Sequence, residues 1–170
     1  MRKPPENLGA WEAYQRGLWH MSKGTSTDNA QARLLFRNAT ESDPGFAPAF
    51  TGLALTYHRD GLFYGTISHT EGCRLAEIEA RMAVAIDPDD AEAHAALGVA
   101  VGAFGDVEQA LECGERAVAL NRNSASAHYV RGARLAFSGQ FAKGRADLLM
   151  SLRLNPRDAT SALAASVLAG

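Results

Sequence analysis

A chain of 170 residues with 46% hydrophobic but only 8% aromatic residues can bury one elongated core built mainly from small aliphatic side chains. Its formal net charge of -2 gives no general attraction to nucleic acid or anionic lipid. The longest uncharged apolar stretch, Ala95 to Phe104, is about half of the roughly 20 residues that a membrane span needs.

At the N-terminus, MRKPPENLGAW follows its basic residues with prolines and polar groups where a secretion signal would have an apolar run. A first pair of helices is predicted over 10–46. Ala13, Gly17 and His20 fall in its first helix and Ala32, Phe36 and Ala39 in its second, and Asp43-Pro44 closes it. Three extra residues fall near Lys23-Gly24-Thr25. A second pair, 47–90, carries Phe50, Leu53-Ala54 and Tyr57, then Ala76, Ala80, Ala83 and Pro88. Its surplus of ten residues lies in HRDGLFYGTISHTEG, rich in glycine and in poor helix formers, so residues 58–72 are expected to form a long polar loop.

The clearest pair spans 91–124. Gly98 lets the second helix come close to the first, Gly105-Asp106 supplies a stop and the next N-cap, and Ala110 and Ala117 share one face. The pair 125–158 repeats these offsets with His128, Gly132, Gly139-Gln140, Gly144, Leu148 and Pro156. Residues 159–170, ATSALAASVLAG, read as a single helix begun by Asp158. A half-repeat with an apolar face is a poor end for a solenoid, so the segment is expected to be a piece of a longer protein, unless this last helix is itself the cap.

One register runs through all four pairs: Ala32, Ala76, Ala110 and Gly144 stand twelve residues before Pro44, Pro88, Arg122 and Pro156. This pattern resembles the tetratricopeptide repeat, whose signature places an aromatic, Leu-Gly and Tyr in the first helix, then Ala, an aromatic, Ala and Pro in the second. Gly114 and Leu148 stand in for the second-helix aromatic, Ser151 for its later alanine and Arg122 for the proline. The resemblance implies an all-α, right-handed superhelical solenoid of antiparallel pairs, about four repeats plus a final single helix, forming one domain. More weakly, the opening segment resembles the start of the repeat region of certain bacterial class III adenylate cyclases and winged-helix regulators. That likeness rests on Asn7-Leu8, Ala10-Trp11, Tyr14, Arg16-Gly17, Ala32, Phe36, Ala39, Asp43-Pro44, Ala47 and Ala49 to Leu53, and implies a regulatory region of a bacterial signalling protein.

No motif for catalysis accompanies the repeats. His58, Arg59, Asp60, His69 and Glu71 bracket the long loop, but no serine elbow, phosphate loop or paired carboxylates stand with them. His94 and His128 hold equivalent places in successive pairs, about a helix-packing distance of 8 to 10 Å apart, too far to share a zinc ion. Each is expected to replace a large packing residue, with one nitrogen satisfied at the surface. Cys73 and Cys113 belong to no CxxC pair, so neither a metal nor a disulfide is expected, and a reducing, cytoplasmic compartment is the reading. No cofactor is called for.

A partner surface is the expected functional feature. First helices of such pairs line a groove, here Trp11, Tyr14, Leu18, Thr51, Leu55, Ala95, Val99, Tyr129, Ala133 and Phe137, suited to a protein or peptide segment or to a second copy. The Leu62-Phe63-Tyr64 tripeptide is expected to fold back over the lengthened turn, and otherwise to be a contact in its own right. Charge is uneven, with residues 1–124 at -6 and 125–170 at +4; the basic end is either a solvated face or a dock for an acidic neighbour. Arg131, Arg134, Lys143, Arg145, Arg153 and Arg157 are spread around two helices, which argues against nucleic acid.

Overall fold

The computed structural model describes residues 7–156 and 159–169. The described residues are almost wholly helical, with no strand among them, and the chain divides into two compact units, Met1–Pro88 and Asp89–Gly170.

In the first unit, α1 (Leu8–Ser22) and α2 (Ser26–Ser42) form one antiparallel pair and α3 (Ala47–Arg59) and α4 (His69–Ile86) the next. Each start has a local cause. The Asn7 side chain accepts from the backbone N–H groups of Gly9 and Ala10, Thr25 does the same for Asp28 and Ser68 for Glu71, and Pro48 occupies the first turn of α3. Gly24, at φ 70°, makes the left-handed step between α1 and α2. The core is centred on Phe36, fully buried, whose ring is gripped between two backbones. A Cβ on Gly17 of α1 would lie 2.6 Å from that ring, and one on Gly52 of α3 2.8 Å from it.

The expected long loop is largely helical instead. Residues Asp60–Tyr64 continue α3 as a π-helix, Gly65 ends it at φ 61°, and α4 begins at His69. The ten surplus residues are absorbed by widening the end of one helix and lengthening the next, which satisfies backbone groups that a free loop would leave to water. Gly61 and Gly72 make this possible. A Cβ on Gly72 would meet the Tyr57 carbonyl at 2.8 Å and the Gly61 Cα at 2.9 Å, so the two helices cross backbone to backbone.

The second unit holds α5 (Ala91–Ala103), α6 (Val107–Leu120), α7 (Ala125–Phe137), α8 (Phe141–Leu154) and α9 (Ala159–Ala169). Asp90, Asp106 and Ser124 cap α5, α6 and α7 through their side chains, and Gly105 and Gly139 take positive φ at the turns within each pair. Ala164 of α9 is fully buried in a core with Ala117, Tyr129, Val130 and Leu148, so α9 packs inward on α7 and α8. Its proposed N-cap, Asp158, lies outside the described residues.

Gly98 sits where the register places it. A Cβ there would lie 2.7 Å from Val130 Cγ1, 3.0 Å from Cys113 Cβ and 3.2 Å from the Ala110 carbonyl oxygen. Gly98→Leu is therefore expected to overpack the α5–α6–α7 contact at a cost of roughly 1 to 3 kcal/mol. A thermal melt reads it as a clear fall in midpoint; an unchanged midpoint would contradict the register.

Candidate partner-binding surface

The ten residues expected to line a groove divide by burial. In the first unit Trp11 is 43% and Leu18 37% exposed, Leu55 is half-buried, and Tyr14 and Thr51 are buried. In the second unit Phe137 is exposed and Val99 half-buried, while Ala95, Tyr129 and Ala133 are buried. Five of the ten thus hold the core and present no side chain to a partner. Tyr14 is enclosed by Phe36 and Phe46, with ring centroids 5.7 and 5.2 Å away, and Tyr129 lies in the cluster that α9 closes. Spacing along the first helices alone did not anticipate that residues of other elements cover Tyr14 and Tyr129.

Of the five that remain, two stand on α1 and one each on α3, α5 and α7. Trp11 and Leu18, seven residues apart, share one face of the helix. Trp11 is braced by Tyr14 and Phe46, with centroids 5.9 and 6.2 Å away, so its exposed indole stands on a packed aromatic base. Trp19, overlooked in the groove prediction, is 58% exposed beside them. The Lys23 ammonium lies 3.6 Å over its ring, and Lys23 also pairs with Asp28 at 3.3 Å. Asp28 is in turn held by the Thr25 hydroxyl at 2.7 Å and by His20 Nδ1 at 2.8 Å. These contacts, the Thr25 hydrogen bond first, pull the Asp28 carboxyl down to about 2. The α1–α2 turn thereby fixes the position of Lys23 over Trp19. An i, i+8 tryptophan pair on a helix that also carries Leu18 was the available signal.

The tripeptide after α3 does not fold back as expected. Leu62 and Phe63 are exposed and Tyr64 half-buried, because the π-helix turns the first two outward.

The residues once grouped as a loop acid–base cluster are dispersed. Asp60 is buried, ion-paired with Arg33 and accepting from Asn29 Nδ2 at 2.9 Å; Asn29 also donates to the Thr56 carbonyl at 3.0 Å. This network, unforeseen in the sequence, pins the π-helix to α2. Arg59 donates to the Met21 carbonyl at 3.0 Å and ties the end of α3 to α1, while Glu71 is engaged by Arg74. His69 lies 3.6 Å from Cys73 Sγ, but burial pushes that thiol up, away from the thiolate a nucleophile requires. Among the described residues no three His, Cys, Asp or Glu side chains are arranged to hold a metal ion.

His128 departs from expectation by having both nitrogens engaged inside the protein. Its Nδ1 is 2.8 Å from Asp147 Oδ1 and its Nε2 3.0 Å from the Arg122 carbonyl oxygen. Arg131 donates to the same carboxylate through Nε at 2.6 Å and Nη2 at 2.7 Å. Burial would raise the Asp147 carboxyl, but the bonds from Arg131 and His128 outweigh it and hold the group below its usual value. Arg134 donates to the Gly102 carbonyl at 3.1 Å and rests 5.4 Å from the Phe137 ring. Two of the six basic residues considered for nucleic acid are therefore committed to internal contacts, and Arg157 lies outside the described residues.

No helix among the described residues is long and apolar enough to cross a membrane. Neither a family model nor a curated protein sequence matches the chain. Solved structures do. A thermophilic tetratricopeptide repeat protein from Thermus thermophilus superposes with a TM-score of 0.68 at 24% identity, over 86% of this chain and 75% of that one. Pseudomonas aeruginosa PilF gives a TM-score of 0.68 at 24% identity, over 95% and 68%. The first repeat domain of Spaghetti bound to an HSP90 peptide gives 0.60 at 20% identity, over 84% and 97%. At these identities the likeness is one of fold. The chain has the all-α tetratricopeptide-repeat fold.

Proposed function

We propose that this chain is a non-catalytic module that holds a segment of a partner protein against the exposed face of α1. The observation that carries the reading is the set of exposed large apolar side chains on one capped helix, Trp11, Leu18 and Trp19, with Trp11 supported from below by Tyr14 and Phe46. Rigid aromatic anchors of this kind dominate binding energy at interfaces. The superposition on a repeat domain bound to a peptide supports the same use of the fold. A cytoplasmic setting is in keeping with two buried cysteines that form no disulfide.

The resemblance of the opening segment supports a place in the regulatory region of a bacterial signalling protein such as an adenylate cyclase, or as the sensor region of a winged-helix regulator. The reading frame flanking the segment tests this directly. An adjoining cyclase or winged-helix domain is the expected finding, and unrelated flanking sequence would overturn it. For binding itself, selection from a library of random 12-residue peptides is expected to yield a recurring apolar pattern. Absence of enrichment would count against the module.

A further inference from the structure

We propose that the end of the second unit where α5 and α7 finish binds an acidic side chain of a partner segment, held by the Arg134 guanidinium, with an apolar neighbour of that side chain on the Phe137 ring. This contact is separate from segment binding at α1. Arg134 is half-buried near the end of α7 and rests on Gly102 of α5, where a Cβ would lie 2.8 Å from the guanidinium carbon. One nitrogen, Nη1, donates to the Gly102 carbonyl at 3.1 Å. Among the described residues no carboxylate pairs with this side chain, and its buried Nε has no hydrogen-bond partner.

Arg131, one turn earlier on the same helix, shows what that edge of a guanidinium is shaped to meet. Its Nε and Nη2 donate side by side to the two Asp147 carboxylate oxygens at 2.6 and 2.7 Å, and those bonds push its guanidinium up from the ordinary value. Burial pulls the Arg134 guanidinium down instead, and the one side chain that acts the other way is the Tyr129 phenol, which is neutral at neutral pH. Arg134 is therefore a half-buried cation without a counter-ion, an arrangement that desolvation disfavours. A water molecule can accept from Nε but brings no charge, whereas a carboxylate supplies both acceptor and charge.

Charge and surface select the occupant. A single guanidinium is balanced by a single carboxylate, whereas a phosphate group would bring an excess of negative charge to it. The Phe137 ring centroid lies 5.4 Å from the guanidinium carbon and the residue is 67% exposed, so an apolar face stands directly beside the charge. Phe104, two residues beyond Gly102, adds a second exposed aromatic at the same end of the unit. A segment that sets Asp or Glu next to a large apolar residue matches the cation and the rings together.

Nuclear magnetic resonance of the full chain tests this through the Arg134 Nε–H signal, assigned with Arg134→Lys. The probes are acetyl-Phe-Glu-Phe-amide and the same peptide with Gln or phosphoserine at its centre. The Glu peptide should move the signal to saturation, and the Gln peptide should bind roughly tenfold more weakly. Arg134→Met should lose the preference for Glu while its melting midpoint stays within a few degrees, because an unbranched apolar side chain replaces a cation that has no counter-ion. Phe137→Ala should weaken the Glu peptide about threefold and leave the preference intact. Peptides selected on α1 should bind every variant as they bind the wild type, which separates failure here from failure of segment binding. Equal affinity for Glu and Gln, a signal that does not move, or tighter binding of the phosphoserine peptide would overturn the proposal. So would a steep fall in the Arg134→Met midpoint, the mark of an arginine that serves only the fold.

Discussion

Phe36→Ala is expected to cost about 3 to 5 kcal/mol, the range for emptying a fully buried aromatic site. The upper part of the range applies because the site cannot collapse. Its two walls are the backbones of α1 and α3 at Gly17 and Gly52, already in contact with the ring, and each helix is fixed elsewhere. Arg59 holds α3 to the Met21 carbonyl, and Asn7 donates to the Ser42 carbonyl to hold α1 to the end of α2. For a chain of this size such a loss lowers the melting midpoint by about 10 °C or more. Urea denaturation followed by circular dichroism checks it. A loss under about 1 kcal/mol would show that the ring is not the centre of the first unit.

Asp147→Ala is the second large effect, about 3 kcal/mol at neutral pH. Removing the carboxylate leaves the Arg131 guanidinium and the buried His128 ring without their shared acceptor, and breaking such a buried set costs about 3 to 5 kcal/mol. The lower end is appropriate because the Arg131 side chain keeps 29% exposure. The sign with pH follows from the depressed carboxyl of Asp147. Its contribution is fully present above the unfolded carboxylate value of about 3.9 and is lost as pH falls through the lower folded value. Paired urea titrations should show a wild-type advantage that is constant from about pH 5 to 7 and shrinks below about pH 4. An advantage that persisted undiminished into acid would contradict the assigned role.

Much of the architecture was legible because it depends on small residues at fixed spacing. The positions of Ala32, Ala76, Ala110 and Gly144 report where two helices must approach, and that geometry recurs with every pair. Two features were not legible in this way. The 58–72 segment reads as a loop because its glycines are loop-like in isolation, whereas Gly61 and Gly72 serve a backbone crossing and Asp60 is satisfied by Asn29 and Arg33 from a helix some 30 residues earlier. Such long-range partners leave no periodic trace. The surface was harder still. Helical spacing puts Trp11, Tyr14 and Leu18 on similar faces, but whether an aromatic is anchor or core depends on Phe36 in α2 and Phe46 at the start of α3, which enclose Tyr14 and leave Trp11 exposed.

That division between enclosed and exposed aromatics is the centre of the functional account, and one measurement reaches it most directly. The affinity of Trp11→Ala/Leu18→Ala for a peptide selected on the wild-type chain should be measured by fluorescence anisotropy of the labelled peptide, with the melting midpoint recorded on the same sample. Affinity should fall at least thirtyfold, corresponding to roughly 2 kcal/mol or more from an anchor pair, while the midpoint moves by no more than a few degrees. Unaltered affinity would contradict the assignment of α1 as the partner-binding surface.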